Sequence, residues 1–92
     1  MVDIAVFIYE AASLLSRSRE AARRHDDGEL RAAVVALRAV GEEAGAERMV
    51  TLCGALRDRL TKDHPDEVDA LITAIGDELE QVTGELQLSR SA

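Results

Sequence analysis

Residues 68–86 read VDALITAIGDELEQVTGEL, and their apolar side chains recur at alternating steps of four and three. That spacing brings the apolar side chains to one side of an α-helix and leaves acidic positions on the other side. A helix with such a seam is stable when the seam is buried against other helices, so the stretch predicts one helix of a bundle. The seam consists of Val68, Ile72, Ile75, Leu79, Val82 and Leu86, and the acidic positions outside it are Asp69, Glu78, Glu80 and Glu85.

Three more helices are predicted upstream, because the helical spacing of apolar residues continues along the chain and stops at three short breaks. In the first break, Asp26 or Asp27 is suited to cap the helix that follows. Gly45 is suited to end the second helix in the left-handed conformation, and Pro65 to open the fourth helix, where a backbone N–H is not needed. The predicted helices span about 3–24, 28–44, 46–62 and 65–87, and residues 88–92 are expected to fray.

The chain has the length of one hydrophobic core, so we predict a single domain over residues 1–92. Connections of a few residues make consecutive helices antiparallel. The predicted fold class is therefore all-α, and the predicted architecture is an antiparallel up-and-down four-helix bundle. Besides the seam of helix four, the predicted core positions are Ile4, Phe7, Ile8, Ala11, Leu14, Leu15 and Ala22 in helix one, Leu30, Ala33, Val34, Leu37, Val40, Gly41 and Ala44 in helix two, and Met49, Leu52, Cys53, Leu56 and Leu60 in helix three.

The charge balance argues against several classes of partner. Acidic residues outnumber basic ones 18 to 11, and the net charge is −7. Nucleic acids and anionic membrane surfaces attract basic patches, so we expect neither as a partner. No apolar run approaches the ~18 residues of a membrane-spanning helix, and the apolar start lacks the basic residues of a signal peptide. The single cysteine, Cys53, cannot form an internal disulfide, which fits a cytoplasmic protein, and it is expected as a small buried hydrophobe.

The outward side of helix two carries a small apolar patch. At about 100° per residue, Val35 lies roughly 160° from Leu37, which is at the centre of the core stripe. Ala32 and Ala39 flank Val35 about one turn away on either side. Single exposed apolar residues are common on ordinary surfaces, so the spacing alone leaves open whether this patch is an interface. The charged residues at its edges are Arg31, Arg38 and Glu42.

The same region has the form of a known signature. The stretch LRAAVVALRA at residues 30–39, followed by GAERM at 45–49 and by Leu52-Cys53, resembles the signature of histidine-containing phosphotransfer (HPt) domains. In that family the phosphorylated histidine is followed by any residue and then by leucine, lysine and glycine. A Gly-Ala turn comes after that helix, and the next helix carries leucines and often a cysteine. The resemblance extends over nearly the whole chain and implies a four-helix bundle.

The most specific element of the signature is altered. Setting residues 45–46 on the family's Gly-Ala turn places Leu37 on its leucine, Arg38 on its lysine and Ala39 on its glycine. The position of the phosphorylated histidine is then occupied by Val35. Phosphotransfer needs an exposed imidazole nitrogen as the nucleophile, and valine has no nucleophilic atom. The resemblance therefore implies a domain that keeps the docking platform and lacks the reactive group.

In HPt domains, the face around this position docks onto the receiver domains of response regulators and hybrid histidine kinases. The resemblance thus implies a non-catalytic adaptor of two-component signalling, which binds a receiver domain or another regulator and carries no phosphate. We expect no catalytic residue, no cofactor and no metal site. Val35 is expected at the centre of the contact and Arg38 against the acidic pocket of a receiver. The expected partner-binding residues are Arg31, Ala32, Val35, Arg38, Ala39 and Glu42.

Two alternatives stay open. One is a phosphotransfer protein that uses another histidine, although His25 and His64 both lie in breaks between helices and are better explained as solvated loop residues. The acid pairs Asp26-Asp27 and Glu42-Glu43 lack a pocket or a partner base, which favours a cap and a solvated face over acid–base catalysis. The other alternative is a small structural or oligomerisation subunit, whose outward patch forms a homodimer or contacts an unrelated protein that it regulates.

Overall fold

The computed structural model describes residues 4–62 and 65–91, with side chains over residues 4–60 and 66–84. These residues form four α-helices, and the described part of the chain contains no strand. Each helix packs against the next one along the chain, and the first also packs against the fourth, so the helices enclose one core. The helices are α1 (Ile4–Arg23), α2 (Asp27–Ala44), α3 (Glu47–Lys62) and α4 (Pro65–Ser91).

The helix boundaries agree with the predicted ones to within a residue, except at the end of α4. That helix continues to Ser91, beyond the predicted end at about residue 87. Residues 88–91 were expected to fray, yet they contain no glycine or proline that would stop a helix. Asp63, His64 and Ala92 lie outside the described residues, so the expectations for them stay predictions.

The start of α2 is capped by a side chain. Of the two candidates, Asp26 is the N-cap, and its Oδ1 accepts a hydrogen bond from the backbone N–H of Glu29 at 3.1 Å. Asp27 is instead the first residue of the helix. One donor that the helix leaves without an intrahelical acceptor is satisfied in this way.

Two helices end in a left-handed residue. Gly45 has φ 72° after α2, and the N–H of Ala46 donates to the carbonyl oxygen of Gly41 at 2.9 Å. His25 has φ 56° after α1, and the N–H of Asp26 donates to an α1 carbonyl oxygen at 2.9 Å in the same way. Glycine adopts this conformation without strain and histidine does not, so the α1–α2 turn is the more strained of the two.

Of the predicted core positions whose side chains are described, most are buried, seven are half-buried and two are exposed. Ile4 is 50% exposed and Ala44 is exposed, because Ile4 lies in the first turn of α1 and Ala44 is the last residue of α2, where neighbouring helices cover less of the face. Ser18, a polar residue outside the predicted core, is buried and donates its hydroxyl to the carbonyl oxygen of Leu14 at 2.9 Å. The buried apolar residues are Phe7, Ala11, Leu15, Ala21, Leu30, Ala33, Val34, Leu37, Met49, Cys53, Leu56, Val68, Ile72, Ile75 and Leu79.

The seam of α4 is confirmed as far as its side chains are described. Val82 is half-buried against the core, and the side chain of Leu86 lies outside the described residues. Of the predicted outward acids, Asp69 and Glu80 are exposed. Glu78 is less exposed than expected, because it lies beside α3 and forms an ion pair with Arg48 at 3.8 Å.

Candidate interaction surface

The residues expected on the outward face of α2 are exposed in the structure. Val35 is 48% exposed, and Ala32 and Ala39 are exposed on the same side of the helix. The core stripe of α2 on the opposite side is buried at Leu37 and its neighbours. We refer to Ala32, Val35 and Ala39 together as the valine patch. It is small and free of charge, so another protein surface can approach the helix closely there.

Of the three charged residues at the edges, Arg31 and Glu42 are exposed and Arg38 is half-exposed. The Nε of Arg38 lies 3.2 Å from Oε1 of Glu42, one helical turn along. Among the described residues this Nε has no hydrogen-bond partner and it is shielded from solvent, so its contact with Glu42 is an attraction between charges without hydrogen-bond geometry. Half-exposed pairs of this kind stabilise a helix by only ~0.3–0.5 kcal/mol.

Arg38 also influences the core of the neighbouring helix. Cys53 on α3 is buried, as expected, and burial raises the pKa of its thiol to about 11, while the positive charge of Arg38 lowers that pKa by a smaller amount. Arg38 is therefore near the α2–α3 boundary and not in the middle of the outward face. At neutral pH the thiol stays protonated, which makes Cys53 a packing residue and a poor nucleophile.

A second exposed apolar surface lies on α1, and the sequence analysis did not identify it. Tyr9 is 77% exposed and Val6 is 48% exposed. Both lie away from the side of α1 that carries the buried Phe7 and Ala11. The helical spacing that located Val35 on α2 would have located Tyr9 too, since Tyr9 is roughly 160° from Phe7 around the helix.

The remaining candidate groups are not brought together. His25 is exposed in the α1–α2 turn, outside the valine patch, and His64 is outside the described residues. An open groove between α1 and α4 is lined by Arg19, Arg23, His25 and Asp69, but Arg23 is already paired with Glu20. Over the described part of the chain, no three histidine, cysteine or acidic side chains are grouped closely enough to hold a metal ion.

Comparisons with known proteins do not assign a function to the chain, so a function has to be inferred from the residues described above. No family model, no curated protein and no solved structure matches the chain. Within the described ranges, none of the four helices has the length and hydropathy that crossing a membrane requires.

Proposed function

We propose that this protein is a non-catalytic adaptor of two-component signalling, which docks on a receiver domain through the outward face of α2 and carries no phosphate. The proposal includes the finer architecture, an antiparallel up-and-down bundle of the HPt type. Its support is the pairing of helices: α1 packs on α2, α2 on α3, α3 on α4 and α4 on α1. Turns as short as 24–26 and 45–46 favour antiparallel neighbours.

The observation that carries the proposal is the exposure of Val35. A residue that had replaced a core position would be buried, whereas Val35 is 48% exposed in the middle of α2. That is the placement a phosphoacceptor histidine would need, with small residues one turn away on each side. Valine provides apolar contact area and no group that accepts a phosphoryl group, so binding without transfer is the chemistry that this surface supports.

The charges around the valine patch support a contact with an acidic pocket. Arg31 and Arg38 lie on one edge of the patch, and a receiver domain presents a cluster of carboxylates around its phosphorylated aspartate. Arginine can pair with such carboxylates through two parallel hydrogen bonds. Glu42 weakens the attraction of Arg38 to these carboxylates, because Glu42 lies 3.2 Å from Arg38 and already neutralises part of its charge. We therefore expect moderate affinity that decreases with added salt.

The experiment is affinity capture from the native lysate, with bound proteins identified by mass spectrometry and binding then measured with each purified receiver. Val35→Asp places a charge in the middle of the patch without touching the core. Ala70→Asp is the matched control, because Ala70 is also an exposed apolar residue on a helix, but on α4. Receivers that bind the unmodified chain and the control, and not Val35→Asp, support the proposal. Absence of binding to every receiver would refute it.

A small structural or oligomerisation subunit is the second candidate function, and the same exposure of Val35 favours it, because the valine patch can equally be covered by another copy of the chain. Light scattering at several concentrations separates the two candidates. A stable dimer that Val35→Asp disrupts would favour this second function, because the valine patch would then be occupied by another copy of the chain.

A further inference from the structure

The immediate surroundings of Val35 are more basic than the rest of this acidic chain. The residues three and four positions away from it along α2 are Arg31, Arg38, Ala32 and Ala39. Residues at these spacings are neighbours on a helix surface, so two guanidinium groups lie beside the valine and no carboxylate does. Arg31 is exposed, and no ion pair joins it to another of the described residues. In a chain with a net charge of −7, this is a local reversal of sign.

Two contacts fix how α3 lies against α2. A Cβ built on Gly41 of α2 would lie 3.3 Å from Cγ2 of Val50 on α3. One turn earlier along α2 and one turn later along α3, the charge of Arg38 acts on Cys53. The two contacts follow each other in opposite directions along the two helices. A step back along α2 therefore corresponds to an equal step forward along α3.

The next step of this register brings a third arginine to the valine patch. Arg57 follows Val50 by seven residues, which is two turns along the same side of α3. The register places Arg57 level with Val34, between Arg31 and Arg38. Arg57 is exposed, and among the described residues no ion pair involves it. We refer to Arg31, Arg38 and Arg57 together as the arginine cluster.

Two carboxylates flank the arginine cluster, and both lie at its ends. Asp27 precedes Arg31 by four residues, and Glu42 follows Arg38 by four. The residues three and four positions away from Arg57 on α3 are uncharged. The Nε of Arg38 is shielded from solvent and has no hydrogen-bond partner in the described part of the chain. The centre of the cluster thus presents donors that the chain's own carboxylates leave unsatisfied.

We propose that the arginine cluster binds the phosphoryl group of a phosphorylated receiver domain, so that the chain selects the phosphorylated receiver over the unphosphorylated one. The proposal rests on the adaptor function and specifies which state of the partner is bound. A phosphoryl group adds a charge of about −1.5 to −2 and three acceptor oxygens. Guanidinium groups bind such oxygens through pairs of parallel hydrogen bonds, and three of them surround one uncharged position here.

Val35 makes the phosphoryl group a ligand of this surface and not a substrate. Neither its side chain nor those of Ala32 and Ala39 contain an atom that can attack phosphorus. The thiol of Cys53 lies beneath the surface, buried in the core. The phosphoryl group therefore stays on the receiver while the arginine cluster holds it.

The first test needs no receiver. Acetyl phosphate contains the same carboxyl–phosphoryl linkage as an aspartyl phosphate, and it is titrated into the full chain while NMR follows the arginine Nε–H resonances. Shifts at the three arginines of the cluster are expected at concentrations on the order of millimolar. Acetate lacks the phosphoryl group and is expected to shift none of them. Absence of shifts at the cluster, or equal shifts with acetate, overturns the proposal.

The second test measures the affinity for each captured receiver by calorimetry, with and without beryllium fluoride on its aspartate in place of the phosphoryl group. The unmodified chain is expected to bind the beryllium fluoride form roughly tenfold more tightly. Arg57→Gln and Arg31→Gln are each expected to reduce that preference to about twofold or less. Arg24→Gln removes an exposed arginine of α1 and is the matched control, which keeps the preference. Circular dichroism verifies that each variant is folded.

The outcomes separate this proposal from the adaptor function. Equal affinity for the two forms of a receiver, or a preference that survives Arg57→Gln, overturns the proposal and leaves the adaptor function intact. Absence of binding to every receiver in both forms refutes the adaptor function and this proposal together. A preference that Arg57→Gln removes and Arg24→Gln keeps supports both.

Discussion

The Nε of Arg38 lies 3.2 Å from Oε1 of Glu42, and the same arginine is close enough to Cys53 to lower the pKa of that buried thiol. One side chain thus connects the outward face of α2 with the packing between α2 and α3. If the outward face docks on an acidic pocket, Arg38 must exchange Glu42 for the carboxylates of its partner. The affinity for the partner then depends on the strength of the Arg38–Glu42 ion pair.

Removing the charge of Glu42 is expected to strengthen receiver binding. In Glu42→Gln, Arg38 loses its competing carboxylate, and we expect a two- to fivefold higher affinity at low salt, about 0.5–1 kcal/mol. The free energy of unfolding should change by less than about 0.5 kcal/mol, because the pair is half-exposed. Glu43→Gln removes an equal charge on the other flank of α2 and is the control. Equal gains in both variants would contradict a specific role of Arg38. Affinity is measured by calorimetry at two salt concentrations.

Introducing a histidine at position 35 is expected to confer phosphotransfer. In Val35→His, an exposed imidazole nitrogen can attack the aspartyl phosphate of a bound receiver, and the receiver carboxylate leaves as the phosphoryl group is transferred. Incubation with a phosphorylated receiver should give a chain heavier by one phosphoryl group. Val35→Gln, which is polar but not nucleophilic, should stay unmodified. Receiver binding by Val35→His without any transfer would refute the alignment that places Val35 on the family's histidine.

Two glycines are expected to respond to alanine in opposite directions. Gly45 has φ 72° at the end of α2, so Gly45→Ala should lower the free energy of unfolding by about 1 kcal/mol. Gly54 is inside α3, and nothing lies within 4 Å of the position that a Cβ would take. Gly54→Ala should therefore raise the free energy of unfolding by about 0.5–1 kcal/mol through helix propensity. Chemical denaturation measures both, and a shift of the same sign in both variants would contradict the structure at one of them.

Alkaline pH is expected to destabilise the fold through Cys53. Burial raises the pKa of this thiol from 9.0 to about 11, so the folded state favours the protonated form. The contribution is fully present below pH 9 and is lost as the pH rises through about 11, because the unfolded chain releases the proton more readily. Cys53→Ala removes that part of the pH dependence at the cost of a small cavity. Denaturation midpoints of both chains between neutral pH and pH 11 provide the comparison, and parallel curves would contradict the burial of the thiol.

Local chemistry was sufficient for the four helices and for their ends, except for the end of α4. Apolar spacing located the four helices, and capping residues such as Asp26 and Gly45 located their boundaries, because both effects act within one or two turns of the chain. The same spacing placed Val35 on the outward side of α2, and the structure confirms its exposure. The spacing was wrong for Ile4 and Ala44, because a periodic pattern does not indicate where along a helix the neighbouring helices cease to cover its inner face.

The sequence by itself determined that this protein consists of four amphipathic helices, and that Val35 lies in a small uncharged patch on the outward face of the second helix. Only the tertiary structure decided which charged groups meet across helices. Arg38 acts on Cys53 of α3, and Glu78 of α4 forms an ion pair with Arg48 of α3. The Arg38–Glu42 pair follows from their spacing of four residues, whereas the partner of a side chain on another helix is set by helix packing and not by position in the chain. For the same reason, packing left Tyr9 exposed on α1, since the two neighbouring helices occupy the other sides of that helix.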